Sequence, residues 1–217
     1  MIIREERIGG QRLILGDCRD IIGGLQFDAI CTDPPYGLGK RMQGGTWGAQ
    51  VHNEGFLKWD LEADHGAMDR ILAANVPTIV WGGNYFNVPA SRCWLIWNKV
   101  NAVPTMADFE AAWTNFDRPS KRMDLNVGRV EYGHPTQKPL ALMEWCLGFF
   151  APEATVADFY MGSGTTLVAC QRLGRTGIGI EIDPDYFAIA CRRVDEATRQ
   201  PDFFVQQPPK PIQETLL

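Results

Sequence analysis

The sequence predicts a single α/β domain with a mainly parallel sheet flanked by helices. Short apolar runs typical of strands alternate along the chain with segments of helical periodicity, and one predicted strand leads through a glycine-rich turn into a helix. The length of 217 residues suits one domain. We expect that domain to cover residues 1–199 and to be followed by an extended, Pro-rich tail at 200–217.

Six apolar runs are interpreted as strands and two segments as helices. The last helix begins after Asp183, an N-capping residue followed by Pro184 at the first helical position. An earlier helix covers residues 167–173 and ends at Gly174. The predicted strands are residues 12–15, 29–32, 78–81, 93–97, 155–157 and 177–182.

Composition excludes several classes of protein. An apolar content of 45% and a charged content of 22% are ordinary for a globular domain, and no apolar run approaches the length of roughly 18 residues that spans a membrane. The N-terminus lacks the apolar core of a signal peptide. Six cysteines without a C-x-x-C pair favour a reducing, cytoplasmic location, and the absence of zinc-ligand spacing predicts no metal site.

A strand, a glycine turn and a helix follow one another in the last third of the chain, and a second strand ends in Glu181. This acid is placed to accept both hydroxyls of a ribose. Asp158, at the end of the first strand, suits a cationic cofactor such as S-adenosylmethionine, whereas a dinucleotide site would have a glycine in place of Leu167. Taken alone, the turn also fits a strand–helix connection without a ligand. The candidate cofactor residues in it are Asp158, Phe159, Met161, Gly162, Ser163, Gly164 and Thr165.

The tetrapeptide Asp33-Pro34-Pro35-Tyr36 follows another predicted strand. Pro34 and Pro35 have a fixed φ and no N–H, so this turn presents only hydrogen-bond acceptors. A planar ring with an exocyclic amino group would donate to the Asp33 carboxylate and the Pro34 carbonyl while it stacks on Tyr36. Two acceptors push the amino nitrogen toward a pyramidal form whose lone pair is aimed at an electrophilic methyl group. Alone, the tetrapeptide also fits a rigid proline turn with a helix-capping Asp.

Together, these motifs resemble those of the amino-methylating DNA methyltransferases, in the circularly permuted (beta-class) group whose catalytic motif precedes the cofactor motif. The resemblance covers about residues 12–195. It implies a Rossmann-like methyltransferase fold with a mainly parallel seven-stranded sheet, S-adenosylmethionine as cofactor, and double-stranded DNA with a flipped target base. The matching segments are Asp33 to Tyr36, Asp158 to Thr166, Ile178 to Glu181, His134 to Pro139, Leu13 to Cys18, Gly82 to Phe86 and Trp94 to Lys99.

The resemblance also implies roles for single residues. Asp17 and Cys18 are expected at the adenine of the cofactor, and Glu181 at its ribose. Gly162 and Asp158 are expected near its methionine part. Three further residues are assigned to the cofactor site: Asp33, Lys138 and Ile182. The family commonly shows D-P-F-x-G where this chain has Tyr160 in the third position.

The predicted function is transfer of a methyl group to the N6 amino group of adenine in DNA. Cytosine-N4 methylation is the alternative, because it uses the same pocket, although that group more often has Ser in place of Asp33. A protein-glutamine methyltransferase would more often have Asn there and would lack the permuted order. A dinucleotide-dependent oxidoreductase is disfavoured because Leu167 stands where such an enzyme has its third glycine. A non-catalytic DNA-binding module is disfavoured because it would need neither the catalytic nor the cofactor motif.

The partners are predicted to be double-stranded DNA and a second copy of the chain. A formal charge of −5 disfavours binding of nucleic acid by the whole surface. We therefore expect the DNA phosphates to contact a few clustered basic residues. Segment 98–133 shows little periodicity and is interpreted as a short target-recognition insertion. Its brevity favours a homodimer, which doubles the surface offered to a duplex. The expected DNA-binding residues are Lys40, Arg41, Arg118, Lys121 and Arg122.

Overall fold

A computed structural model of the chain describes residues 1–38, 63–103, 107–127 and 137–199. These residues form one sheet of nine strands. The tail at 200–217, most of the glycine-rich segment after Tyr36, and the residues Lys40, Arg41 and His134 lie outside the described ranges. The strands are β1 (Ile2–Ile8), β2 (Gln11–Gly16), β3 (Ala29–Thr32), β4 (Thr78–Trp81), β5 (Trp94–Lys99), β6 (Phe109–Thr114), β7 (Lys121–Leu125), β8 (Val156–Asp158) and β9 (Gly177–Glu181).

The strand order is β1-β2-β9-β8-β3-β4-β6-β5-β7. Strands β2, β9, β8, β3 and β4 are parallel neighbours, and β6 runs antiparallel between β4 and β5. The predicted mainly parallel sheet of a Rossmann-like methyltransferase is therefore confirmed. The described sheet has nine strands rather than the expected seven, because β1 and β7 each add a strand at an outer edge.

Five helices in the described ranges cover the two faces of the sheet. Ile30 faces the layer that contains Ile21 and Met68, whereas its neighbours Ala29 and Cys31 face the layer that contains Leu142. Because both faces of β3 are buried, its first three residues form a continuous apolar run. No helix in these ranges is long and apolar enough to span a membrane. The helices are α1 (Cys18–Ile21), α2 (His65–Ala73), α3 (Leu140–Leu147), α4 (Thr165–Arg172) and α5 (Pro184–Arg199).

The six predicted strands and two predicted helices are confirmed, with ends that shift by one or two residues. The Asp183 carboxylate accepts hydrogen bonds from the amides of Asp185 and Tyr186, at 2.8 and 3.1 Å, as expected of an N-cap. Strands β1, β6 and β7 were not predicted. β1 is a charged edge strand whose Arg and Glu side chains pair with each other and with Arg12, so it lacks an apolar pattern.

The aperiodic segment 98–133 contributes β6 and β7 to the sheet. β6 lies between β4 and β5, where Ala112 and Trp113 are buried. Its sequence contains two alanines, which have a low strand propensity, so its pairing partners rather than its composition make it a strand. The role of this segment in target recognition stays a prediction, and within the segment we now expect it of the residues around β6 and β7. The predicted domain bounds also stay a prediction.

One edge of the sheet collects the polar side chains that the sequence analysis singled out. The parallel strands β2, β9, β8 and β3 all end at this edge, and ligands of open α/β sheets bind outside such carboxyl ends. Asp17, Glu181, Asp158 and Asp33 stand at the ends of these four strands. The antiparallel strand β6 begins at the same edge and brings Glu110 there.

Candidate active site

The turn after β3 brings an acid, a phenol and an ammonium group together. The Asp33 carboxylate accepts hydrogen bonds from the Tyr36 hydroxyl and from Lys138 Nζ. Burial raises the pKa of Tyr36 well above its ordinary value, and the Asp33 carboxylate adds to this shift. The phenol therefore stays protonated and donates. Lys138, which the sequence analysis assigned to the cofactor, thus contacts the candidate catalytic acid.

The Tyr36 ring is fixed by close packing. Tyr85 stacks on it, with ring centroids 4.8 Å apart and planes 19° from parallel. Gly82 has φ +67°, and a Cβ at this position would lie 2.0 Å from Cε1 of Tyr36. Both residues belong to the Gly82–Phe86 motif, to which the sequence analysis gave no role at the site. The structure shows that this motif packs against the Tyr36 ring.

Four alternating charges run from the catalytic turn into β6 and β5. Lys138 Nζ lies 3.1 Å from Glu110 Oε2, and Lys99 Nζ lies 2.6 Å from Glu110 Oε1. Burial disfavours the charge on Lys138, but the carboxylates of Asp33 and Glu110 outweigh it and raise the pKa of Lys138. Burial also opposes the charge on Glu110, but the two lysines outweigh it and lower the pKa of Glu110 to about 2. Both groups are therefore charged at neutral pH.

Glu110 and Lys99 were absent from the predicted site. Glu110 is one of several acids in an aperiodic segment, and no spacing in the sequence connects it with residue 33 or 138. Only the antiparallel pairing of β6 with β5 brings Glu110 to this edge. Lys99 lies in the Trp94–Lys99 motif, which was the one signal in the sequence that pointed to it.

The glycine turn after β8 is built around the buried Asp158 carboxylate. It accepts hydrogen bonds from Thr32 Oγ1 at 2.8 Å, from Thr166 Oγ1 at 2.5 Å and from the Tyr160 amide at 3.1 Å. Burial raises the pKa of Asp158 to about 6. This carboxylate thus ties the turn to β3 and α4, and its predicted approach to the cofactor stays a prediction.

Glu181 at the end of β9 reaches across to the same turn. Its carboxylate accepts the Gly162 amide at 2.8 Å, the Ile182 amide at 2.9 Å and the Asp183 amide at 2.8 Å. Burial raises the pKa of Glu181 to about 7. An acid at a strand end beside a glycine turn is the hydrogen-bond acceptor expected for the ribose of a nucleoside cofactor, so these residues fit S-adenosylmethionine. Ile182 is 58% exposed beside it.

Arg193 is a residue of this region that the sequence analysis missed. Its guanidinium is buried and donates from Nη1 to the Ser163 carbonyl at 2.6 Å, to Ser163 Oγ at 2.8 Å and to Thr165 Oγ1 at 3.1 Å. Arg193 follows Arg192 on α5, and an Arg in such a charged pair is normally a surface residue. Its contacts with the turn are therefore visible only in the tertiary structure.

Other predicted cofactor residues contribute in different ways. The Phe159 side chain is buried against Phe27, and Met161 is buried in the layer that contains Leu167, so these two side chains belong to the core. Their cofactor contacts, like those of Ser163, Gly164 and Thr165, stay predictions.

Asp17 and Cys18 lie at the start of α1. The Asp17 carboxylate caps this helix and pairs with Arg19, whose hydrogen bond lowers the pKa of Asp17. Cys18 is buried, and that burial raises its pKa to about 11, so the thiol is neutral. Their predicted position at the cofactor adenine stays a prediction.

The three described basic residues that were assigned to DNA lie away from this site. Lys121 pairs with Leu95 at the start of β5, which is the sheet edge opposite to Asp33. Arg118 lies just before β7, with its guanidinium 5.0 Å from the Phe116 ring centroid, and Arg122 pairs with Asp124. The structure therefore does not bring Arg118, Lys121 and Arg122 to the catalytic turn.

Comparison with known proteins identifies related sequences and folds. The family model described as "DNA methylase" matches residues 80–192, more than half of the chain. The type II methyltransferase M.HpaI of Haemophilus parainfluenzae is 25% identical over 85% of this chain and 74% of its own length. The type II methyltransferase M.SmaI of Serratia marcescens is 24% identical over 88% of this chain and 92% of its own.

Two solved structures share the fold. The crystal structure of the M1.HpyAVI–SAM complex has a TM-score of 0.58 and 26% identity, with 85% of this chain and 99% of that chain covered. The PvuII DNA methyltransferase, described as cytosine-N4-specific, has a TM-score of 0.61 and 15% identity, with 91% and 94% covered. At that identity, the second likeness concerns the fold alone.

Proposed function

The chain belongs to the DNA methylase family, and on that premise we propose that it transfers the methyl group of S-adenosylmethionine to the N6 amino group of adenine in DNA. Dependence on S-adenosylmethionine and action on DNA follow from the family and from the likeness to the M1.HpyAVI–SAM complex. The choice of adenine is the further step. It is supported by Asp33, since the related cytosine-N4 group more often has Ser at this position.

The observation that carries the proposal is the acceptor-rich turn at Asp33. An ionised carboxylate has about four acceptor sites, and Tyr36 and Lys138 supply two of its hydrogen bonds. Acceptor sites thus remain for the amino hydrogens of a flipped base. The Asp33 carboxylate and the Pro34 carbonyl then localise the lone pair of the amino nitrogen. Asp33 is also placed to accept the proton that this nitrogen loses.

The cofactor is assigned to the neighbouring strand ends. Glu181 would hold the ribose hydroxyls, while Gly162, with φ of +51°, lets the backbone pass close to the bound molecule. Gly164, with φ of +81°, lets the turn pass close to Ala190 on α5. Asp17 and Cys18 would flank the adenine. When bound, S-adenosylmethionine supplies an electrophilic methyl group whose bond to sulfur breaks as the amino nitrogen bonds to its carbon. The Asp33 carboxylate and the Pro34 carbonyl would orient the nitrogen.

Two coarser features complete the proposal. A homodimer is supported by the shortness of segment 98–133, part of which is sheet rather than loop. A cytoplasmic location is supported by the six cysteines, all of which lie in described ranges and are free.

The test is nucleoside mass spectrometry of unmethylated plasmid DNA treated with the protein and S-adenosylmethionine. We expect N6-methyladenine from the wild-type protein and none from Asp33→Ala, with unchanged circular dichroism. N4-methylcytosine as the only product would replace adenine by cytosine as the target. Equal product from Asp33→Ala would remove Asp33 from the chemistry.

A further inference from the structure

We propose that Glu110, held by Lys99, is a positioning residue that sets how Lys138 engages Asp33 during methyl transfer. This inference rests on the proposed function and adds two residues to that site. Glu110 acts through its contact with Lys138, and Lys99 acts through its contact with Glu110.

The contacts are continuous from β5 to the catalytic turn. Lys99 Nζ lies 2.6 Å from Glu110 Oε1, and Lys138 Nζ lies 3.1 Å from Glu110 Oε2 and 2.5 Å from Asp33 Oδ2. The side chains of Lys99 and Lys138 are each only 8% exposed. The Lys138 ammonium also lies 5.9 Å from the Tyr36 ring centroid and 5.7 Å from that of Trp81. Lys138 is thus held between two carboxylates and two aromatic rings.

The shared ammonium determines what Asp33 can offer a substrate. With Glu110 present, Lys138 is divided between two anions, and Asp33 keeps acceptor sites for the amino group. Without the Glu110 charge, Asp33 is the only carboxylate that pairs with Lys138 in the described structure. The ammonium, which is already 2.5 Å from Asp33 Oδ2, would then be free to turn its remaining N–H groups toward Asp33 and compete with the amino hydrogens. Lys99 fixes the Glu110 carboxylate by a second contact, and so keeps Glu110 from drawing the Lys138 ammonium away from Asp33.

Stability alone accounts poorly for this arrangement. Buried ion pairs add little net stability, because the loss of hydration offsets their attraction. This chain nevertheless places two buried lysines and a half-buried glutamate beside the acid that carries the predicted chemistry. The position of these three charged residues next to Asp33 therefore indicates that they orient the Asp33 carboxylate and its hydrogen bonds.

The experiment compares Glu110→Gln and Glu110→Asp with the wild-type protein. Methylation of unmethylated plasmid DNA gives kcat and the KM for each substrate, while calorimetry with S-adenosylmethionine counts the competent molecules. We expect kcat per competent molecule to fall roughly 10- to 100-fold in Glu110→Gln, since small displacements at a reacting centre cost this much. The KM for S-adenosylmethionine should stay within about twofold, and Glu110→Asp should recover part of kcat.

The matched control is Glu144→Gln. Glu144 pairs with Arg172 at 3.3 Å and is 28% exposed, close to the 27% of Glu110, but it lies on α3 away from Asp33. Its kcat should equal that of the wild type. If Glu110→Gln does not fold, Lys99→Met takes its place, with an expected loss of kcat at unchanged KM for S-adenosylmethionine.

The two proposals fail in different ways. A wild-type protein that does not methylate DNA would overturn the proposed function. An active wild type whose Glu110→Gln and Lys99→Met variants keep full kcat per competent molecule would overturn the positioning role alone. The positioning role is also overturned if both variants contain fewer competent molecules but each competent molecule keeps the wild-type kcat. That result would show that the ion pairs contribute only to folding.

Discussion

The Glu181 carboxylate accepts a hydrogen bond from the Gly162 amide at 2.8 Å, which joins the end of β9 to the glycine turn after β8. The two residues are 19 positions apart in the chain and meet because β8 and β9 are parallel neighbours. One acid therefore organises the turn, and in the proposed function its remaining acceptor capacity would bind the ribose. Its protonation state should control cofactor binding.

We expect the affinity for S-adenosylmethionine to fall as the pH drops through about 7. Burial raises the pKa of Glu181 to about 7, so the carboxyl is protonated below this value and charged above it. Ribose hydroxyls donate more strongly to the charged form. Binding at pH 6 should therefore release a proton, which calorimetry in buffers of different ionisation enthalpy detects. Glu181→Gln should bind more weakly at pH 8 and lose the pH dependence; unchanged affinity would refute the ribose assignment.

Arg193→Met should weaken S-adenosylmethionine binding by about 1.5–3 kcal/mol, the usual contribution of hydrogen bonds from a charged group. The change removes the donors that hold the Ser163 carbonyl and hydroxyl and the Thr165 hydroxyl. Arg192→Met is the control, because Arg192 is the more exposed neighbour on the same helix. Calorimetry measures both variants. Equal affinities would show that the turn keeps its shape without Arg193.

Tyr36→Ala should reduce kcat/KM for DNA by the equivalent of roughly 1–3 kcal/mol, which is the range for base–aromatic stacking. Tyr36→Phe keeps the ring but loses the hydroxyl that donates to Asp33, so we expect a smaller reduction. Steady-state methylation of plasmid DNA separates the two. A larger loss in the Phe variant would assign the role of Tyr36 to its hydroxyl rather than to its ring.

Gly82→Ala should destabilise the fold by about 1–3 kcal/mol. The new Cβ would lie 2.0 Å from the Tyr36 ring, and φ at this position is +67°. Gly23→Ala is the control, since a Cβ at Gly23 meets no atom within 4 Å. Urea unfolding followed by circular dichroism gives both free energies. If Gly82→Ala unfolds at the same urea concentration as the wild type, the tight packing of Gly82 on Tyr36 is not needed for stability.

Neutralising Lys40 and Arg41 together should flatten the salt dependence of DNA binding, by about 0.9 in logarithmic slope for each phosphate that the protein no longer neutralises. The double variant Arg118→Gln/Lys121→Gln should leave the slope nearly unchanged, because Lys121 pairs at the sheet edge opposite to Asp33 and Arg118 precedes it. Fluorescence anisotropy of labelled duplex DNA at several salt concentrations measures the slopes. If only the second variant flattened the slope, we would conclude that DNA binds at the sheet edge opposite to Asp33.

Local sequence patterns predicted two kinds of element: strands that are apolar on both faces, and elements that begin or end at a recognisable turn or cap. The first three residues of β3 are apolar because helices cover both faces of the strand, and α5 begins at an Asp-Pro cap that binds its own helix amides. The same kind of signal identified Asp33, Tyr36, Gly162 and Glu181, since each belongs to a short motif at a strand end. Such motifs are readable because neighbours along the chain determine them.

By itself, the sequence determined the α/β class, the order of the catalytic and cofactor motifs and the acid at each strand end. Only the tertiary structure decided what those acids contact. β6 is a strand because β4 and β5 flank it, and this pairing places Glu110 between Lys99 and Lys138. Charges so far apart in the chain leave no periodic signal, because their attraction depends on distance in space and on burial. For the same reason, the pairing of β7 with β5, and not the local excess of basic residues, decided where Lys121 lies.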